Sequence, residues 1–381
     1  MAIALFLFFV LLVLTINLFA SLRAIRISTA DTTAVPAPFV SVLIPARNEA
    51  RNIVPCVRSL LAQDYSPFEV IVLDDESEDQ THSLVAQLSQ DDSRVKVIEG
   101  RTLPEGWAGK PFACFQLATA ARGDYLLFTD ADTVHSPKML STVLPLAIAS
   151  GASVVSGFPR QVLRSFVEKV TIPIPYYLIL CGLPIGVRLP YNDPPRSFMV
   201  GQFMLFPRED YWRIGGHAAV KGRILEDLWM GVAVRRAGGK HLTLNLSSII
   251  ACRMYRDRQA LTEGFLKWGY SFANLWPAGT LAFILIALAL YFVPLPALIY
   301  GIIVPGVPTW LVPLATIQLG LIALGRFACD RALGEPLSST LLTIPGLAFF
   351  LLAMLGGCVI RLRGGNVNWK RRSYGGTTGV G

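Results

Sequence analysis

Three acidic clusters and one lysine have the types and spacing for chemistry. In LLFTDADT, Asp130 and Asp132 lie two residues apart directly after an apolar run. Two hard oxygen donors so placed suit Mg2+ or Mn2+, which takes one or two carboxylates and completes its shell with phosphate oxygens and water. The same pair could instead cap a helix near Ser136-Pro137. In VLDDESEDQT, Asp74 and Asp75 also follow an apolar run. Either could accept a hydrogen bond from a base N–H or a ribose hydroxyl, while Asp79 reads as an N-cap. In RILEDLWMG, Glu226 and Asp227 open an amphipathic helix. An acid in a first turn ordinarily serves the helix dipole. Beside the other two clusters it reads as a general base that takes a proton from an attacking hydroxyl. Asp227 is that base and Glu226 its neighbour. Lys110, in GWAGKPFA, suits a diphosphate by its charge and by its place at a helix start, or else is simply solvated.

The elements around these residues alternate. Short apolar runs at Phe39–Ile44 (stopped by Pro45), Phe68–Leu73, Val95–Ile98 and Tyr125–Thr129 predict strands. Helical patterns around Val54, Val57, Leu60 and Leu61, over Thr81–Leu88 and over Phe112–Ala121 lie between them. Such alternation predicts an α/β fold, a parallel sheet with helices on both faces. Ligands of such sheets bind beyond the carboxyl ends of the strands, where Asp74-Asp75 and Asp130–Asp132 fall.

Composition points to a membrane. Of 381 residues, 53% are hydrophobic and only 16% charged, too apolar for an ordinary soluble enzyme. Residues 1–22 carry no charge and are followed by Arg23 and Arg26. A run of about 20 apolar residues crosses a bilayer. Basic residues after it predict an uncleaved anchor with the following domain on the cytoplasmic side of the inner membrane. Trp268 to Gly325 is again uncharged, with Pro305, Gly306, Pro308 and Trp310 marking a turn between two spans. Pro336 to Ile360 is another such run, closed by Arg361 and Arg363. Roughly four segments result, a multi-pass protein. Three crossings after a cytoplasmic domain would put the basic tail (Lys370, Arg371, Arg372) outside, against the positive-inside rule, and Pro345-Gly346 could make the last run re-entrant. The net charge of +8 fits anionic headgroups. No basic stripe interleaved with aromatics suggests nucleic acid. Six scattered cysteines without a C-x-x-C pair suggest reduced thiols and no zinc site.

From about Val40 to Trp268 these motifs together resemble the GT-A-fold (Rossmann-like) family 2 glycosyltransferases. SVLIPARNEARNI resembles the family's opening strand and Asn48-Glu49 turn, VLDDESEDQT its nucleotide segment, GDYLLFTDADT its metal segment and LEDLWMG its catalytic acids. The resemblance implies a nucleotide-sugar site at Pro45, Glu49, Asp74, Asp75, Lys110 and Asp130, a metal on Asp130 and Asp132, and inversion with Asp227 as base. It implies UDP as the habitual nucleotide. Expected domains are the anchor 1–22, a transferase domain 36–267, a membrane domain 268–363 and a basic, glycine-rich tail 364–381.

The anchor, LPEGWAGKPFAC, the C-terminal apolar cluster and WKRRSY are similar to bacterial carotenoid- and hopanoid-associated glycosyltransferases, and more distantly to ceramide glucosyltransferase. Processive synthases carry Q/R-x-x-R-W; here GFLKW has Gly264 in place of the Gln or Arg, which counts against processive synthesis. Lys267 could reach a phosphate or, with Trp268, mark the membrane interface. The segment from Val170 to Pro190 is either an interfacial guide for a lipid acceptor or buried core. Gly201-Gln202 is expected to face the site from the acceptor side. The expected reaction moves a sugar to a hydroxyl or carboxyl of a carotenoid, hopanoid or other membrane acceptor; the alternatives are a polysaccharide synthase or polyprenyl-phosphate glycosyltransferase, and a non-enzymatic scaffold.

Overall fold

The computed structural model describes residues 1–27, 37–185, 198–370 and 372–375. The Thr/Ala/Pro linker at 28–36, the end of the Val170–Pro190 segment, Arg371 and the glycine-rich tail lie outside these. The chain divides into two units: Ile25–Val162 with Leu189–Met254, and Met1–Ala24 with Leu163–Arg188 and Tyr255–Gly376.

Helix α1 (Ala2–Ala24) belongs to the second unit. The α/β unit begins with β1 (Val40–Ala46), α2 (Ile53–Leu61), β2 (Phe68–Asp74), α3 (Thr81–Asp91) and β3 (Val95–Glu99). It continues with α4 (Gly109–Ala120), β4 (Tyr125–Thr129), β5 (Thr133–His135), α5 (Met139–Ser150), β6 (Val154–Phe158) and β7 (Arg160–Gln161). Helices α6 (Phe166–Thr171) and α7 (Pro173–Gly182) return to the second unit. Then β8 (Phe203–Pro207), α8 (Arg208–Arg213), α9 (Glu226–Arg236), β9 (His241–Asn245) and β10 (Ile250–Cys252) complete the α/β unit.

Side chains alternate across the strands and so divide the core in two. Val40, Val42, Ile44, Val70, Val72 and Leu127 pack with α2, α3 and α5. Leu43, Ile71, Leu73, Leu126 and Phe128 pack with α4, α8 and α9 on the opposite face. The expected α/β fold is thus present as a mixed α/β, Rossmann-like domain. Its seven-stranded sheet runs β3-β2-β1-β4-β8-β6-β9. The all-parallel sheet expected from alternation is corrected: β8 runs antiparallel to β4 and to β6. Strand-to-strand direction is set by how the intervening chain crosses, which the alternation does not encode. A three-stranded sheet, β5-β10-β7, stands beside it. Pro45 does not stop β1; the strand runs on to Ala46, paired with β2. Pairing with β4 ends at Leu43, so Pro45 lies where one side of β1 has no ladder and a missing N–H is tolerated.

The second unit holds α10 (Arg258–Leu275), α11 (Pro277–Phe292), α12 (Pro294–Ile303), α13 (Leu311–Leu333), α14 (Ser338–Leu341) and α15 (Thr343–Leu362), then the hairpin β11 (Val367–Trp369) and β12 (Arg372–Tyr374). Among the described residues, four helical stretches are long and apolar enough to cross a membrane: Ala2–Ala24, Pro277–Ile303, Leu311–Leu333 and Thr343–Leu362. Their outward side chains include Phe6, Phe9, Leu285, Ile303 and Leu352, all exposed, a surface that water penalises and lipid does not. Pro345 and Gly346 fall in the first turn of α15, where proline removes no helical bond, so the helix is continuous from Thr343 to Leu362, with the short α14 before it. The segment starting at Val170 supplies the last two residues of α6 and all of α7; Pro173 to Tyr177, Leu180 and Cys181 are buried within this unit, which fits the core reading. Asn17 of α1 donates to the carbonyls of Cys181 at 2.7 Å and Leu183 at 3.0 Å, closing the end of α7.

Gly264 also finds its reason here: a Cβ at this position would overlap the ring of Tyr255. Gly264→Gln, which would restore the synthase-like motif, is therefore expected to destabilise the helical unit by about 1–3 kcal/mol through overpacking, read as a lowered Tm of the detergent-solubilised chain. An unchanged Tm would rule this packing account out.

Candidate active site

The C-terminal ends of β1, β2 and β4 bring the acidic segments to one edge of the sheet. The β1–α2 and β2–α3 loops are laced together. Asp75 N donates to Ala46 O (2.8 Å) and Arg47 Nη1 to Asp75 O (2.7 Å). Asn48 N donates to Ser77 Oγ (3.0 Å), and Asn48 Oδ1 accepts from Glu78 N (2.8 Å). Asn48 and Glu76 both have φ near +57°, a left-handed conformation that Asn tolerates because its side chain satisfies nearby backbone. Glu49 is buried, accepting from Asn52 Nδ2 at 2.6 Å. Asp79 Oδ1 accepts from Thr81 N (2.9 Å) and Oδ2 from Ala50 N (3.1 Å), so it braces the start of α3.

Asp74 and Asp75 are both buried, but they differ. Asp74 Oδ1 has no hydrogen-bond partner among the described residues. A buried carboxylate oxygen without a partner costs free energy unless a donor reaches it, and of the two it is Asp74 that has this open acceptor.

Asp130 and Asp132 follow β4. Helix α5 begins only at Met139, with Lys138 at its cap and β5 intervening, so the pair caps no helix. Asp130 O is bound by Thr133 Oγ1 (2.7 Å); Asp132 O accepts from Arg253 N (3.2 Å) and Asp132 Oδ1 from Cys252 Sγ (3.3 Å).

Lys110, in the first turn of α4, joins the clusters. Its Nζ lies 2.7 Å from Asp130 Oδ1 and 2.8 Å from Glu226 Oε1. Burial by itself would lower the ammonium, but Asp130 and Glu226 outweigh it and hold Lys110 charged, well above the usual lysine value. Glu226 is buried, while Asp227 is half-buried. Asp227 Oδ2 accepts from Gly201 N (3.1 Å) and Oδ1 from Leu228 N (2.8 Å). Burial, then the charge of Glu226, pushes the Asp227 carboxyl up to about 6, with Lys110 opposing. A Cβ on Gly201 would lie 3.2 Å from both Asp227 Oδ2 and Lys110 Nζ, so glycine here lets the carboxylate and the cation converge. The arrangement is a carboxylate raised towards neutral pH beside a fixed cation.

The metal expectation meets this donor set as follows. Among the described residues no group of three His, Cys, Asp or Glu side chains forms a cation site. Two carboxylates do suit Mg2+ or Mn2+, which take their remaining oxygens from phosphates and water. The Lys110 ammonium between Asp130 and Glu226 indicates that positive charge is at home there.

Some expected residues are placed differently. The Gln202 side chain is 4% exposed, donates to Cys252 Sγ (3.1 Å) and accepts from Gln161 Nε2 (3.1 Å). Lys267 and Trp268 belong to α10 of the helical unit, the Trp268 ring stacking 5.9 Å from that of Phe265. Cys252, beneath Asp132, has no sequence motif that announces it; its role arises only from the pairing of β10 with β5 and β7.

Residues 41–215 match the family described as Glycosyl transferase family 2. A 4,4'-diaponeurosporenoate glycosyltransferase of Staphylococcus aureus is 28% identical over 232 residues, 60% of this chain and 60% of that protein. Its counterpart in another strain is 26% identical over the same share of each. The chain thus matches 60% of the length of these curated relatives. Mannosyltransferase PcManGT from Pyrobaculum calidifontis, solved with GDP-Man and Mn2+, aligns with a TM-score of 0.49 and 19% identity over 93% of this chain and 99% of that one. Residues 1–349 of S. aureus TarS, solved with UDP-GlcNAc, align with a TM-score of 0.41 and 15% identity over 88% and 98%.

Proposed function

From the match of residues 41–215 to glycosyl transferase family 2, we propose that the chain is an inverting glycosyltransferase that moves a sugar from a nucleotide-sugar, a UDP-sugar by family habit, to a hydroxyl or carboxyl of a lipid-like acceptor. The observation that carries this is the Lys110 bridge between Asp130 and Glu226, with Asp227 held beside it by the Gly201 amide. Donor-side charge and base are joined in one cluster.

Asp74 Oδ1 accepts a hydrogen bond from the nucleotide. Asp227 takes the proton of the acceptor hydroxyl as its oxygen bonds to the anomeric carbon. The bond from that carbon to the diphosphate breaks, and the diphosphate leaves with the electron pair. Lys110, close to both clusters, stabilises that developing charge. A Mg2+ or Mn2+ ion held by Asp130 and Asp132 would neutralise the diphosphate. The name of the S. aureus relative and the four apolar helices support a carotenoid or similar membrane acceptor. Arg23 and Arg26 after α1 support placing the catalytic unit on the cytoplasmic face of the inner membrane.

The test is purified full-length protein in detergent with Mn2+ or Mg2+, a nucleotide-sugar panel and a membrane lipid extract, reading nucleoside diphosphate and labelled lipid. Labelled lipid supports the proposal; a long water-soluble polymer would establish a synthase instead, and bound but unconsumed donor a scaffold. EDTA is expected to abolish transfer and Mn2+ to restore it. Asp74→Ala is expected to weaken nucleotide binding about 10-fold, the worth of one hydrogen bond to a charged acceptor, with Asp75→Ala weaker in effect; calorimetric titration with UDP decides, and equal affinities would remove Asp74 from the nucleotide site.

A further inference from the structure

The carboxylate of Asp132 is not left to solvent. It stands at the end of a directed chain of three buried side chains, each donating to the next. Gln161 Nε2 donates to Gln202 Oε1 (3.1 Å), Gln202 Nε2 to Cys252 Sγ (3.1 Å), and Cys252 Sγ–H to Asp132 Oδ1 (3.3 Å). Gln161, Gln202 and Cys252 are 3%, 4% and 1% exposed. The sheet fixes the chain's geometry. Cys252 is the last residue of β10 and pairs with Thr133 of β5 on one side and Gln161 of β7 on the other. The neighbouring Arg253 amide holds Asp132 O, so the aspartate is gripped by backbone and side chain from the same strand.

We propose that Gln202 and Cys252 are positioning residues that orient Asp132 to receive a divalent cation. This rests on the metal reading above. A thiol is a weak donor, so it aims the carboxylate without neutralising it or filling its remaining acceptor sites. The same dipeptide serves both ends of the site: the Gly201 amide holds Asp227 Oδ2 while the Gln202 side chain reaches Asp132 through Cys252. A conserved-size change at Gln202 therefore bears on cation binding, a role distinct from contact with an acceptor.

The experiment follows Mn2+ binding by electron paramagnetic resonance, using purified full-length chain with UDP. Partners that orient a metal ligand are worth about 10–100-fold in metal affinity. Cys252→Ala is expected to raise the Mn2+ dissociation constant by about that factor, Cys252→Ser to restore most of it, and Gln202→Met to act like Cys252→Ala. UDP affinity without metal and Tm are expected to stay close to wild type. Wild-type Mn2+ affinity in a folded Cys252→Ala protein overturns the proposal; if that variant fails to fold, the same result in folded Gln202→Met overturns it. No Mn2+ binding by the wild type overturns the underlying metal reading and this inference with it, an outcome distinct from either variant result.

Discussion

Asp227→Asn is expected to lower the rate of sugar transfer by about 10²–10⁴-fold, the range a positioned general base contributes, with little change in UDP affinity. The amide keeps the size and can still accept from Gly201 N, so geometry survives while the proton acceptor is lost. The sign with pH follows from the raised carboxyl. A base works only when ionised, and Asp227 ionises at about 6. Transfer should therefore rise about tenfold per pH unit below 6 and level off above it. Lys110 opposes the upward shift, so Lys110→Ala should move this limb to higher pH as well as weaken donor binding. The profile also separates acceptors. A carboxyl acceptor is already ionised at neutral pH and needs no base, so Asp227→Asn would then cost little. A variant with wild-type kcat and an unshifted acid limb on a hydroxyl acceptor would remove Asp227 as the base.

Arg326→Ala should be the most damaging substitution in the helical unit. Arg326 is 1% exposed and Asp330 fully buried within α13. The guanidinium lies 2.8 Å from Asp330 Oδ1 and 4.0 Å from Glu335 Oε2. Its Nη1 donates to Pro173 O at 3.0 Å, and Thr340 donates to Asp330 Oδ2 at 2.8 Å. This knot ties α13 to the start of α7 and to α14. Removing the single cation leaves two buried acids uncompensated, which costs about 3–5 kcal/mol, whereas replacing a whole buried ionic group by apolar residues of similar volume is often near neutral. Arg326→Ala is thus expected to lower Tm sharply in detergent, followed with a thiol-reactive dye because five of the six cysteines are buried and none forms a disulfide. Arg326→Met with Asp330→Leu and Glu335→Leu should recover much of the loss. A single variant as stable as wild type would show that the charges are solvated rather than sealed in.

The uncharged run ending at Gly325 stops one residue short of Arg326, although α13 continues to Leu333. Hydropathy marks where charge begins but does not reveal whether the helix continues or whether the charges have partners. Helices α6 and α7 are a similar case. Placed between two acidic segments in the chain, they pack in the helical unit, because their apolar, proline-broken surface is satisfied there and not by the sheet.

What the sequence determined by itself was local. Each acidic motif follows its own strand within a few residues, so strand periodicity and the rule that ligands meet strand ends located Asp74, Asp130 and Asp132. Glu226 and Asp227 were marked by their helix start, and the helices apolar enough to cross a membrane by length and lack of charge. Tertiary structure decided the rest. Which of Asp74 and Asp75 holds an unsatisfied oxygen depends on what packs around each. That Lys110 reaches Asp130 and Glu226, that the Gly201 amide holds Asp227, and that Gln202 turns inward to Cys252 are contacts between residues far apart in the chain. No period of 2 or 3.6 records them; they exist because an antiparallel β8 and the β5-β10-β7 sheet close around the strand ends.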